Sequence, residues 1–115
     1  KYTYYYYKMI RTPTIEQIVF AYKEGLDFEV SNKKTNIKGY FFPDLYLVEL
    51  YIKNIESKKD YLITIGHEFM HFIKPKYSEE KVEEIAQQIV EKTPEIIYFM
   101  KDIFKIPNYK KSIYN

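Results

Sequence analysis

The sequence predicts an α+β domain: a small, mostly antiparallel three-stranded sheet packed on a central helix, with two more helices after it. Three observations predict it. Leu45–Ile52 sets Tyr46, Val48, Leu50 and Ile52 against Leu47, Glu49 and Tyr51, the period-two pattern of a half-buried strand. The stretch between Ser57 and Pro75 has apolar residues at helical spacing on one side and both histidines on the other. Two later segments, opened by Ser78 and by Thr93-Pro94, repeat the helical period behind their own start signals.

Taken in order, Thr14 with Gln17 forms a capping box and Gly25 suits the position past a helix end. The first helix is therefore expected at about 15–24, with Ile15, Ile18, Val19 and Tyr22 on its buried stripe. Leu26–Val30 reads as the first strand, Ser31 to Asn36 as a polar turn and Ile37–Phe42 as the second strand. Pro43-Asp44 then turns the chain into the third strand, Leu45–Ile52. Ser57, with Asp60 three residues on, opens a second helix at about 58–73 that Pro75 ends. On its wheel Leu62, Ile65, Phe69, Phe72 and Ile73 share one side, Asp60, Thr64, His67 and His71 lie opposite, and Glu68 sits at their edge. The third helix follows Ser78 at about 79–92, and the fourth follows Thr93-Pro94 at about 94–105.

A length of 115 residues allows a single domain with one core, residues 1–115. Apolar residues at 46% and charged residues at 30% place it among globular chains. The expectation is a soluble cytoplasmic protein: no apolar run is long enough to cross a bilayer, and the tyrosine-rich start is no signal peptide. The net charge of +2 is dispersed as mixed Lys and Glu, so nucleic-acid binding has no electrostatic footprint. Lys/Glu enrichment fits a thermophilic source, and an AT-rich genome would favour the same codons. With no cysteine, any metal must be held by His and carboxylate.

The only two histidines stand as His67-Glu68-Phe69-Met70-His71, the spacing HExxH. On a helix, residues i and i+4 share a face, so two imidazoles can hold one metal ion while Glu68 reaches a water beside it as general base. Drawn at average frequencies, HExxH arises on the order of a few times per thousand chains of this length. The uncharged flanks Thr64, Ile65, Gly66, Phe69, Phe72 and Ile73 argue against that accident, because a solvated helix would carry Lys or Glu there. A catalytic zinc usually takes three protein ligands, so Asp or Glu must supply the third.

The short link Lys74–Ser78 makes the second and third helices antiparallel neighbours. A metal level with 67–71 should find its partner roughly 5–10 Å into the third helix, at positions 82–86. There Glu83 borders the apolar stripe Val82, Ile85, Ala86, Ile89 and Val90, Glu84 faces water, and Glu79 sits at the helix tip, too far along. The expected zinc ligands are His67, His71 and Glu83, with Glu68 catalytic. Gln87, one turn beyond Glu83, could accept an imidazole N–H.

HExxH followed by Glu83-Glu84-Ile85-Ala86 resembles the gluzincin pattern, and the short form is most similar to the minigluzincins, small soluble relatives of membrane metallopeptidase cores. The resemblance covers roughly residues 37–92. It implies a zincin-like fold, Leu45–Ile52 as the cleft rim to which a substrate adds as a strand, and endopeptidase chemistry on peptide or protein substrates. Many relatives carry Asp where Gln87 stands, and an amide raises imidazole basicity less than a carboxylate does. Relatives often stabilise the oxyanion with His or Tyr; here Tyr46, Tyr51, Tyr98 or Arg11 stand open.

The competing expectation is a zinc-stabilised binding or regulatory module that cleaves little, working through its rim strand and the Tyr2–Tyr7 patch. The last expectation concerns 94–115, set apart from a catalytic core at 1–93. Ile96, Ile97, Phe99, Met100, Ile103 and Phe104 form an apolar face too large to leave in water. Docked in the cleft this segment would keep a zymogen latent, as such segments do in the minigluzincins. Crossing to a second subunit it would make a homodimer by exchange, and packed beside the third helix it would complete the core.

Overall fold

Residues 12–110 are described by the computed structural model of the chain. Helix α1 spans Ile15–Lys23, and its capping box is complete: Thr14 Oγ1 accepts the Gln17 N–H at 3.1 Å and Gln17 Oε1 accepts the Thr14 N–H at 3.0 Å. Gly25, at φ +95°, supplies the left-handed turn into the sheet. The buried stripe is narrower than expected. Ile18 and Ala21 are fully buried, whereas Ile15 and Tyr22 are exposed.

Strand β1 is Asp27–Ser31, β2 is Gly39–Phe42 and β3 is Leu47–Tyr51. The sheet is mixed rather than mostly antiparallel. Its order is β1-β3-β2, with β3 parallel to β1 and antiparallel to β2. The β2–β3 hairpin is tight: Pro43–Leu45 forms a 3-10 turn and Tyr46 closes it in the left-handed region, which removes Leu45 from the expected third strand. β3 pairs with β2 on one side and with β1 on the other, so β3 is the central strand. Leu45–Ile52 therefore cannot be the rim that accepts another strand; its ladders are taken on both sides, and β2 is the edge that borders the cleft.

The inner sheet face packs Phe28, Val48 and Leu50 against helix α2, Lys58–Ile73, whose bounds match the expected ones. Ser57 caps it by accepting the Asp60 N–H at 3.1 Å. Ile65 and Phe69 are fully buried in the core. Helix α3, Glu79–Lys92, is capped by Ser78 and crosses α2 closely. A Cβ placed on Gly66 would lie 3.6 Å from Ala86 Cβ and 3.2 Å from Ile97 Cδ1, so small residues at 66 and 86 set the approach.

Helix α4, Pro94–Ile103, packs beside α3 and α1. Ile97 and Met100 are fully buried, and Phe104 joins Phe28 and Phe69 at centroid distances of 4.9 and 6.3 Å. Beyond it, Pro107 C=O accepts the Tyr61 hydroxyl at 2.9 Å, and the Tyr109 hydroxyl donates to Ile55 C=O at 3.1 Å. Residues 94–110 thus complete the core. Among the described residues the cleft is lined by positions between Ile37 and Glu83, none of them from 94–110, so of the three expected placements the described part of this segment takes the one beside the third helix. The Tyr2–Tyr7 patch and Arg11 lie outside the described residues.

Candidate metal centre

The cleft, about 660 Å³, lies between edge strand β2 and the histidine face of α2. Helical periodicity puts Asp60, Thr64, His67, Glu68 and His71 along this wall. Above them β2 passes at the closest distance a backbone allows. A Cβ on Gly39 would stand 3.0 Å from Thr64 Cγ2 and 3.1 Å from Glu68 Cγ. Gly39 is therefore where the strand rides over the helix, the use of a strand glycine for close backbone approach.

Both Nε2 atoms converge on one carboxylate. His67 Nε2 lies 2.9 Å from Glu79 Oε1 and His71 Nε2 lies 3.0 Å from Glu79 Oε2. His67, His71 and Glu79 each offer a ligand atom within 4.8 Å of the others, and among the described residues they form the group able to hold a metal ion. Two imidazole nitrogens and one carboxylate oxygen are a donor set that suits zinc and other divalent transition ions.

Glu83 lies against the other side of His67. Its Oε1 lies 2.8 Å from His67 Nδ1, the ring nitrogen facing away from the convergence point, and its Oε2 accepts the Gln87 amide at 2.9 Å. That is where an orienting carboxylate sits behind a metal-bound imidazole. Gln87 reaches the imidazole through Glu83 rather than directly. The wheel chose the correct face of α3, and Glu84 is exposed as expected. Tyr77 N–H donates to Lys74 C=O at 3.0 Å, and this tight turn brings Glu79, in the first turn of α3, beside both histidines. The sequence signal for Glu79 was its i,i+4 pairing with Glu83 on one face.

Glu68 is 7% exposed. Burial pushes its carboxyl up to about 7; His67 opposes the shift, Glu79 and Glu83 add to it, and the Phe41 backbone N–H turned toward it favours the charged form. Desolvation also pulls the His71 imidazole down, more than Glu79 raises it. For Glu79, desolvation pushes up, but hydrogen bonds and charge from both histidines outweigh it and hold the carboxyl below its ordinary value.

None of the described tyrosines expected as oxyanion donors lines the cleft. Tyr51 is buried with its hydroxyl donating to Glu49 at 2.8 Å, and burial pushes it up to about 12. Tyr46 packs edge-on against Phe72 at 5.5 Å, and Tyr98 lies on α4 near Lys58 and Lys101. The tyrosine at the cleft is Tyr40 on β2, exposed and missed by the sequence reading. No helix among the described residues is long and apolar enough to cross a membrane. No protein family, curated protein or solved structure matches this chain.

Proposed function

We propose that the protein is a zinc-dependent endopeptidase whose ligands are His67, His71 and Glu79, with Glu83 behind His67 and Glu68 as general base. The observation that carries this reading is the convergence of both Nε2 atoms on Glu79, with the buried Glu68 carboxylate adjoining in the same cleft. A zinc ion in that set supplies Lewis acidity toward the scissile carbonyl. Glu68 takes the proton of the attacking water and passes it to the departing amine, a role that suits a carboxylate lining the same cleft as both histidines.

The substrate lies along β2. Lys38 C=O accepts the Tyr51 N–H at 2.8 Å, so by strand alternation Gly39 and Phe41 direct their backbone groups away from β3, toward the cleft. An extended peptide pairs with the Gly39 groups and the Phe41 C=O as an added strand, the Phe41 N–H being turned to Glu68. Metal analysis of the purified protein and hydrolysis of unfolded casein test the reading. Glu68→Gln should lower turnover about 10³-fold with zinc retained. A chain that folds without binding zinc would sink it, and unchanged behaviour of Glu68→Gln would favour a zinc-stabilised binding module.

A further inference from the structure

One wall of the cleft is irregular chain. Ile37 and Lys38 line it; both precede β2, and the Tyr51 N–H ties Lys38 C=O to β3 at 2.8 Å while Ile37 has no partner in the sheet. Irregular backbone holds its place only where something fixes it, and here one side chain does much of that. The two N–H groups of Asn54 Nδ2 are shared among Thr35 C=O at 2.6 Å, Thr35 Oγ1 at 2.8 Å and Ile37 C=O at 2.6 Å. Thr35 Oγ1 in turn donates to Ile37 C=O at 2.7 Å, closing the turn on itself. Asn54 is a firm post, because its backbone is held between Ile52 and Ile55, 1% and 0% exposed. Past the strapped segment, Lys38 Nζ meets Asp60 Oδ1 at 2.9 Å on the first turn of α2.

The side chain that this strap presents is Ile37, 42% exposed. An isoleucine that faces the cleft from a fixed backbone is a surface for an apolar group of the peptide lying along β2. We propose that Asn54 is a positioning residue for substrate: it holds Thr35–Lys38 so that Ile37 meets the bound peptide. This role rests on the peptidase reading. It acts on binding, since the metal-ligating side chains lie on α2 and α3 and the strap touches neither histidine.

The test measures KM and kcat of the zinc-loaded protein on labelled unfolded casein, with zinc affinity measured separately by chelator competition. Asn54→Ala and Ile37→Ala should each raise KM about tenfold with kcat within about twofold. The double variant should be no worse than either single one, because Asn54 acts through Ile37. Zinc affinity should stay at the wild-type value in all three. Wild-type KM in Asn54→Ala, multiplying effects in the double variant, or zinc affinity falling with activity would each overturn the role. Thr35→Val removes part of the same strap and should raise KM in smaller measure; it decides the question if Asn54→Ala does not fold. A zinc-loaded wild-type protein that cleaves no casein would refute the peptidase reading itself and this role with it.

Discussion

Glu79 and Glu83 stand one turn apart on α3 and divide the work around His67, one carboxylate at Nε2 and the other at Nδ1. Removing them should therefore have unequal effects. Glu79→Ala takes away a ligand, and zinc affinity should fall by about 10³-fold or more. Glu83→Ala leaves the ligands but frees the imidazole, which should cost about 10- to 100-fold, and Glu84→Ala should change nothing. Chelator competition checks all three; equal losses for Glu79→Ala and Glu83→Ala would sink this division. His67, Glu68 and His71 were legible because i and i+4 always share a helix face. The depth at which a neighbouring helix begins is set by its linker's turn, which residue spacing does not encode, and so the placement of Glu79 against both histidines was not legible.

The crossing of α2 and α3 carries that pair of carboxylates to the histidines, and its tightness depends on Gly66 facing Ala86. Ala86→Leu forces the helices apart and should lower stability by about 1–3 kcal/mol, with a weaker zinc site as the distinguishing sign; a variant that melts lower but keeps its zinc affinity would show that the crossing does not set the site. Helix bounds were readable from Thr14, Ser57 and Ser78, whose hydroxyls accept backbone N–H groups as expected. Strand order was not. Period two says which residues share a face of β3, not which strand lies beside it; the tight turn at Pro43–Tyr46 sets β2 on one side, and the parallel pairing with β1 on the other puts β3 in the middle. On α4, Lys101 is 6% exposed, with Nζ donating to Asn108 at 2.7 Å. Desolvation, with Lys58 adding to it, holds its amine below the ordinary lysine value. A depressed lysine binds its proton less tightly folded than unfolded, so its penalty is present at neutral pH and fades as pH rises toward 10.5. Lys101→Met should remove the penalty and raise Tm by a few degrees at pH 7, with the gain shrinking near pH 10; a Tm below that of the wild type at pH 7 would contradict this.

Across the whole molecule, the core and the metal site lie on opposite sides of α2, and this separation decides what each perturbation does. Ile65 and Phe69 face the core with no part in the cleft, so chelating zinc should lower Tm by roughly 10–20 °C, as loss of a ligand that binds only the folded state, while far-ultraviolet circular dichroism stays native at room temperature. The C-terminal segment belongs to the other side. An apolar face with Ile97, Met100 and Phe104 was legible in the sequence, but where it docks depends on a groove assembled from α1, β1, α2 and α3 that no local pattern reveals. In the structure Ile97 packs on Gly66, Phe104 closes the aromatic cluster with Phe28 and Phe69, and Pro107 and Tyr109 tie back to Tyr61 and Ile55. Deleting residues 94–115 therefore uncovers Phe28, Tyr61 and Phe69 together, and burial of several large apolar side chains at about 1.5–3 kcal/mol each is comparable with the roughly 5–15 kcal/mol stability of an ordinary domain. The truncated chain should lose its cooperative melting transition and show no peptidase activity. A truncated protein that melts cooperatively and cleaves casein faster than the full chain would show that the segment restrains the site instead of supporting it.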